Sequence, residues 1–134
     1  MDYKILDHTA DVMIECGGKN IEECFSNMAY AMFDQIVDAA KIENRTFRDL
    51  EAEGEDDESL LYAFLSELLF IHDCDGLVFC GFDIEIDGNK VKCRAFGEPL
   101  DLKKHSPKTE IKAVTYHMLK VDRAVPSAIV VFDV

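Results

Sequence analysis

Residues 60–96 read LLYAFLSELLFIHDCDGLVFCGFDIEIDGNKVKCRAF, and their apolar spacing changes once, at Gly76. Before it, Leu60, Leu61, Phe64, Leu65, Leu68 and Leu69 recur every three or four residues, the spacing of one helix face. After it, Val78, Cys80, Phe82, Ile84 and Ile86 alternate against Asp83, Glu85 and Asp87, the spacing of a strand with one wet face. Asp56 or Asp57 caps the helix at its start, Gly76 closes it, and DGN (87–89) turns the chain back into KVKCRAF. The centre of the chain is therefore a helix followed by a hairpin. Asp83, Glu85 and Asp87 are expected to pair with Lys90, Lys92 and Arg94 across its strands.

Upstream, Asn20 and Glu23 fit a capping box, and Ile21, Cys24, Phe25, Met28, Met32 and Ile36 predict a helix over 21–38. YKIL (3–6) and VMIEC (12–16) are a strand pair joined by DHTAD (7–11), and residues 42–53 form a polar edge strand. Downstream, a loop with Pro99, His105 and Pro107 leads to IKAVTYHMLKV (111–121), read as one strand, and SAIVVFDV (127–134), read as the last. The last is apolar on both phases, so it belongs in the middle of a sheet. The expected fold is an α/β two-layer sandwich (α+β). Its sheet is mixed but largely antiparallel, with about six strands, and two long helices cover one face.

At 134 residues the chain fits a single domain, 1–134. It has no uninterrupted apolar stretch of about 18 residues and no basic region followed by an apolar run near Met1, so no membrane association and a cytoplasmic location are expected. Five cysteines without a CxxC pair point to packed thiols rather than disulfides or a zinc ribbon. A net charge of −13 opposes direct nucleic-acid binding, because basic side chains drive capture of a phosphate backbone. The acidic run DLEAEGEDDE (49–58) is either a solvated edge or a docking surface for a basic partner.

DCDG (73–76) resembles the start of a calcium loop, but Val78 and Ile84 stand where an EF-hand needs Gly and Glu. His72 is better explained at the helix end, where a partly positive imidazole meets the negative pole of the helix. No GxGxxG, GxxxxGK or GxSxG is present. What remains is DHTAD near one end and Asp133 at the other. A strand over 11–16 lying beside the final strand would bring Asp11 to Asp133, and two adjacent carboxylates favour a cation between them. His8 or Asp7 could add a ligand, and so could the carboxylate of Val134. Oxygen donors favour Ca, Mg or Mn, and an imidazole would shift the choice toward Mn or Zn. Taken alone, DHTAD is equally a polar turn in which Thr9 or Asp11 bonds local amides.

Read together in this order and spacing, DHTAD, GEPLD (97–101), KHSPKTEIKAVTYH (104–117) and VVFDV resemble the archease family over essentially the whole chain. The resemblance implies a non-catalytic activator of the RtcB-type RNA ligase of tRNA splicing, promoting guanylylation of the ligase and its multiple turnover. Carried over by motif, Asp11 and Asp133 are metal-site residues and Lys112 is a further functional position, read here as a contact to the partner; His8 and Val134 are added on chemical grounds. Two other readings are a metal-dependent hydrolase of a small phosphorylated substrate, for which no general base beyond the metal ligands is evident, and an acidic chaperone-like binding module.

Overall fold

The computed structural model describes residues 2–6 and 11–134. In chain order its elements are β1 (Tyr3–Leu6), β2 (Val12–Gly17), α1 (Ile21–Ile36), a 3-10 turn (Ala39–Lys41), β3 (Thr46–Glu53), α2 (Asp57–Asp75), β4 (Leu77–Asp87), β5 (Lys90–Pro99), β6 (Ala113–Val114), β7 (Lys120–Asp122) and β8 (Ser127–Asp133). The architecture is the α/β two-layer sandwich expected from the sequence. Its strands, however, form two hydrogen-bonded groups rather than one sheet: β1-β2-β8-β6, with β7 also on β8, and β3-β5-β4. Every pairing among the described residues is antiparallel.

Side-chain caps set the helix ends. The Asn20 carboxamide accepts the Glu23 N–H at 2.8 Å, but Glu23 returns its carboxylate to the Lys19 N–H rather than to Asn20, so the capping box is only half closed. α1 stops at Ile36, short of the expected 38, because Asp38 turns its carboxylate to the Ala40 N–H and caps the 3-10 turn instead. At α2 the box is complete: Asp56 accepts the Ser59 N–H at 2.7 Å, and the Ser59 hydroxyl accepts the Asp56 N–H at 3.1 Å. Gly76, with φ +67°, ends α2 in the left-handed conformation and donates to the His72 carbonyl at 2.9 Å. The His72 ring donates from Nδ1 to the Leu77 carbonyl at 2.8 Å, fastening the helix end to the first residue of β4.

The core lies between the helices and the strands. Phe25 of α1 stacks on Phe64 of α2 with centroids 5.9 Å apart, and Phe33 meets Phe79 of β4 edge-on at 5.5 Å. All four rings are fully buried. A bulge between Phe79 and Gly81 breaks the expected alternation of β4, so Val78 and Phe79 both face the core and Cys80 is only half-buried. Gly97 of β5 lies so close to β4 that an added Cβ would stand 1.8 Å from the Val78 carbonyl oxygen. The first residue of the GEPLD motif is thus fixed by packing.

The hairpin has the expected register, with Asp83 opposite Arg94, Glu85 opposite Lys92 and Asp87 opposite Lys90. The ion pairs form on the other flank: Arg94 is bidentate to Asp49 of β3 at 2.8 and 3.0 Å, and Lys90 reaches Glu51 at 3.2 Å. The stretch 111–121 is two short strands rather than one. Met118 takes φ +55°, the Leu119 N–H closes a turn on the Tyr116 carbonyl, and residues 116–119 leave the sheet between β6 and β7, Thr115 still donating to the Val131 carbonyl. Both pieces lie on the same flank of β8, opposite β2, which makes β8 central.

The acidic run 49–58 is not a bare solvated edge. Asp49 and Glu51 pair with β5, and Asp56 caps α2. Asp57 is bidentate to Arg123 at 2.7 and 3.1 Å, and Glu58 accepts the Val121 N–H at 2.8 Å. The first turn of α2 thereby holds β7 in place.

Candidate functional site

β2 and β8 run antiparallel with Val12 opposite Phe132. One further step along that register puts Asp11 opposite Asp133, the neighbourhood expected from the sequence. On the other flank of β8, Ala113 is the register partner of Asp133, and the Lys112 N–H donates to the Asp133 carbonyl at 2.8 Å. Three segments far apart in sequence thus bring Asp11, Lys112 and Asp133 to one rim of the five-stranded group.

The apolar run beneath this rim is what delivers Asp133 to it. Val130, Val131 and Phe132 are buried, Asp133 emerges exposed, and Asp11 is half-buried. A buried Asp133 would have needed a cation to stay ionised; at the rim its carboxylate keeps its water, so burial gives no reason for a metal. What remains is the register itself: two carboxylates set opposite one another would repel on close approach, and a divalent ion would relieve that. The donor set is hard oxygen and fits Ca, Mg or Mn. Among the described residues there is no group of three His, Cys, Asp or Glu placed to hold an ion. His8, Asp7 and Thr9 lie outside the described residues. Val134 follows Asp133 directly, and its side chain packs against the core.

Lys112 is exposed, and no carboxylate pairs with its ammonium among the described residues. It shares a groove with Tyr62, Phe70 and Asp73 of α2. A salt bridge across the sheet, the ordinary role of a strand lysine, is therefore not formed with any described residue.

A second cluster joins residues of two sequence motifs whose meeting the sequence does not show. Glu98 is 3 % exposed and His105 fully buried. One Glu98 oxygen accepts the Glu43 N–H at 2.7 Å and His105 Nε2–H at 2.9 Å, and Lys104 Nζ donates to the carboxylate at 2.9 Å. His105 Nδ1 accepts the Asp101 N–H at 2.9 Å, which fixes the ring's tautomer. Burial alone would raise the Glu98 carboxyl; the Glu43 amide, His105 and Lys104 outweigh it and hold it down at about 2. Every group in this cluster is satisfied internally, so it is architectural: it folds the 99–111 loop against the 3-10 turn ahead of β6. The GEPLD and KHSP motifs flag its members, but only the tertiary structure shows Glu98 meeting His105.

Among the described residues of the rim and of the Glu98 cluster, no nucleophile stands beside a free base. Nor is any described helix long and apolar enough to cross a membrane. Comparison with known proteins supplies the frame. The chain matches the family described as "Archease protein family (MTH1598/TM1083)" over residues 3–134. It is 50% identical over 121 residues to the protein archease of Pyrococcus abyssi, covering 87% of this chain and 85% of the relative. It is 37% identical over 127 residues to the archease-like protein of Drosophila melanogaster, covering 90% of this chain and 80% of the relative. The solution structure of Methanobacterium thermoautotrophicum protein 1598 superposes with a TM-score of 0.85 at 36% identity, covering 98% of both chains. The crystal structure of a Thermotoga maritima protein described as "an archease, possible chaperone" superposes with a TM-score of 0.64 at 25% identity, covering 98% of this chain and 96% of the other. With its motifs, topology and relatives in agreement over nearly the whole length, this chain belongs to the archease family.

Proposed function

We propose that this protein is a non-catalytic, metal-binding activator of the RtcB-type RNA ligase in tRNA splicing, acting in the cytoplasm to promote ligase guanylylation and multiple turnover. One observation carries the reading: the β2–β8 register and the Lys112–Asp133 hydrogen bond gather Asp11, Lys112 and Asp133 at one rim, where an activator would present them to another protein. Asp11 and Asp133 would hold the ion, with His8 and the Val134 carboxylate as further donors. When bound, a divalent ion would neutralise the paired carboxylates and present positive charge at the rim. Lys112, with its backbone tied to Asp133 and its ammonium in solvent, reaches outward to the ligase.

The strongly acidic charge suits a helper of RNA chemistry that acts on the enzyme rather than on the RNA. The hydrolase alternative gains no support from the described residues of the rim, among which no general base stands beside the carboxylates. Ligation by the cognate ligase, compared under single-turnover and multiple-turnover conditions with and without this protein, tests the proposal. The protein should convert a stalling ligase into one that cycles. Equal multiple-turnover rates in its presence and absence would refute it.

A further inference from the structure

Between α2 and β6 lies a groove of about 220 Å³, lined by Tyr62, Phe70 and Asp73 from the helix and by Lys112 and Val114 from the strand. Tyr62, Phe70 and Asp73 are spaced eight and eleven residues along α2, so they share one stripe, while Leu61, Leu65 and Leu68 turn to the core. Phe70 is 61 % exposed. Tyr116, 58 % exposed, comes from the segment that leaves the sheet between β6 and β7 and stacks on Tyr62 with ring centroids 4.0 Å apart. A lone exposed phenylalanine is ordinary, but three aromatic rings around one groove mark an interaction surface. Aromatic anchors of this kind dominate the energy of protein interfaces.

The groove is smaller than the ~300–1,000 Å³ of small-molecule sites, so it takes a side chain rather than a cofactor. Its charges narrow the occupant further. Lys112 and Asp73 both line it, yet no ion pair joins them, and among the described residues no carboxylate answers Lys112. Lys112 is also the residue whose N–H is tied to the Asp133 carbonyl, so the groove and the Asp133 end of β8 share a backbone connection.

We infer that this groove docks a segment of the partner protein that inserts one apolar side chain against Phe70 and the Tyr62–Tyr116 stack and sets a carboxylate on Lys112. The inference rests on the ligase reading above and gives that partner a place to bind. Apolar burial supplies the affinity, and the Lys112 contact fixes the register and makes binding salt-dependent.

Equilibrium binding of the intact chain to the cognate ligase tests this, using Phe70→Ser, Tyr116→Ser and, for comparison, Leu102→Ser, which removes an apolar side chain 67 % exposed in the 99–111 loop. The two groove variants should bind the ligase roughly tenfold or more weakly, as expected for an aromatic anchor, while the Leu102 variant binds like the parent. Because the Phe70 ring is solvent-exposed, its variant keeps the parental unfolding temperature and remains informative even where loss of the Tyr116 stack loosens the fold. Lys112→Gln should flatten the salt dependence of binding; an unchanged slope would remove the carboxylate from the proposal. Parental affinity in Phe70→Ser, or equal loss in Leu102→Ser, would overturn the groove and leave the ligase reading standing. A parent chain that neither binds nor stimulates the ligase would overturn the ligase reading, and this inference with it.

Discussion

The Lys112 N–H donates to the Asp133 carbonyl at 2.8 Å while Ala113 is the register partner of Asp133, so the backbone ties Lys112 to the end of β8, one residue out of register with the Asp133 side chain. Backbone pairing couples their positions, but their side-chain chemistries are separable.

Replacing Asp11 or Asp133 by Asn should weaken divalent-metal binding while leaving the metal-free fold as stable as the parent or slightly more so. Like-charge repulsion between the two carboxylates would oppose the metal-free fold, and the same charge would attract an ion. Calorimetric metal titration alongside thermal unfolding with and without chelator reads both effects. Parental metal affinity in each Asn variant would return DHTAD to a polar turn.

Lys112→Ala should keep metal affinity and reduce ligase turnover, because an exposed ammonium cannot ligate a cation while its backbone bond to Asp133 survives truncation. Joint loss of both properties would instead make Lys112 a structural part of the metal site.

Glu98→Gln should destabilise the fold by about 1–3 kcal/mol, the cost of leaving a buried polar group unsatisfied. Gln keeps the volume, but it has one carbonyl oxygen where Glu98 offers two, so the donors from Glu43, His105 and Lys104 are no longer all satisfied. The pH dependence has a definite sign. The folded carboxyl lies at about 2 against an ordinary 4.5, so the stability it contributes is complete above 4.5 and is lost as pH falls toward about 2. Denaturant unfolding across that window should show a fall in the parent that is smaller in the Gln variant.

All five cysteines should titrate as thiols in the denatured protein without a reductant. Cys16, Cys24 and Cys93 are buried, Cys80 is half-buried, and Cys74 is exposed, so Cys74 should be the first to react in the native state. Cys16 and Cys24 are neighbours, the Cys16 thiol donating to the Cys24 carbonyl at 3.5 Å. A count of three or fewer would show that disulfides form.

Affinity for tRNA in the absence of ligase should be negligible at physiological salt. The net charge is −13, and Lys104, Lys108 and Arg123 of the basic 103–123 segment already have the carboxylates of Glu98, Asp34 and Asp57 as partners. Submicromolar binding in a filter or anisotropy assay would contradict this.

Sequence alone determined what periodicity and local capping control. The helical and alternating spacings flanking Gly76 fix α2 and the hairpin, because a helix and a strand each expose one face at a fixed repeat. The doubly apolar SAIVVF run fixes β8 as central, and the order of motifs fixes the family. Only the tertiary structure decided what depends on contacts between distant segments. Strand periodicity carries no information about neighbours, so the division of the strands into two groups was not legible, nor was the turn of Arg94 and Lys90 toward β3 instead of β4. The break at Met118 was hidden because 111–121 has the composition of one continuous strand. Glu98 and His105 look like ordinary polar residues until folding buries them against each other. At the rim the sequence supplied Asp11 and Asp133, but the β2–β8 register set them opposite one another, and Asp133's emergence into solvent removed burial as the reason for a metal. Local chemistry is written residue by residue; register and burial exist only once strands far apart in the chain have paired.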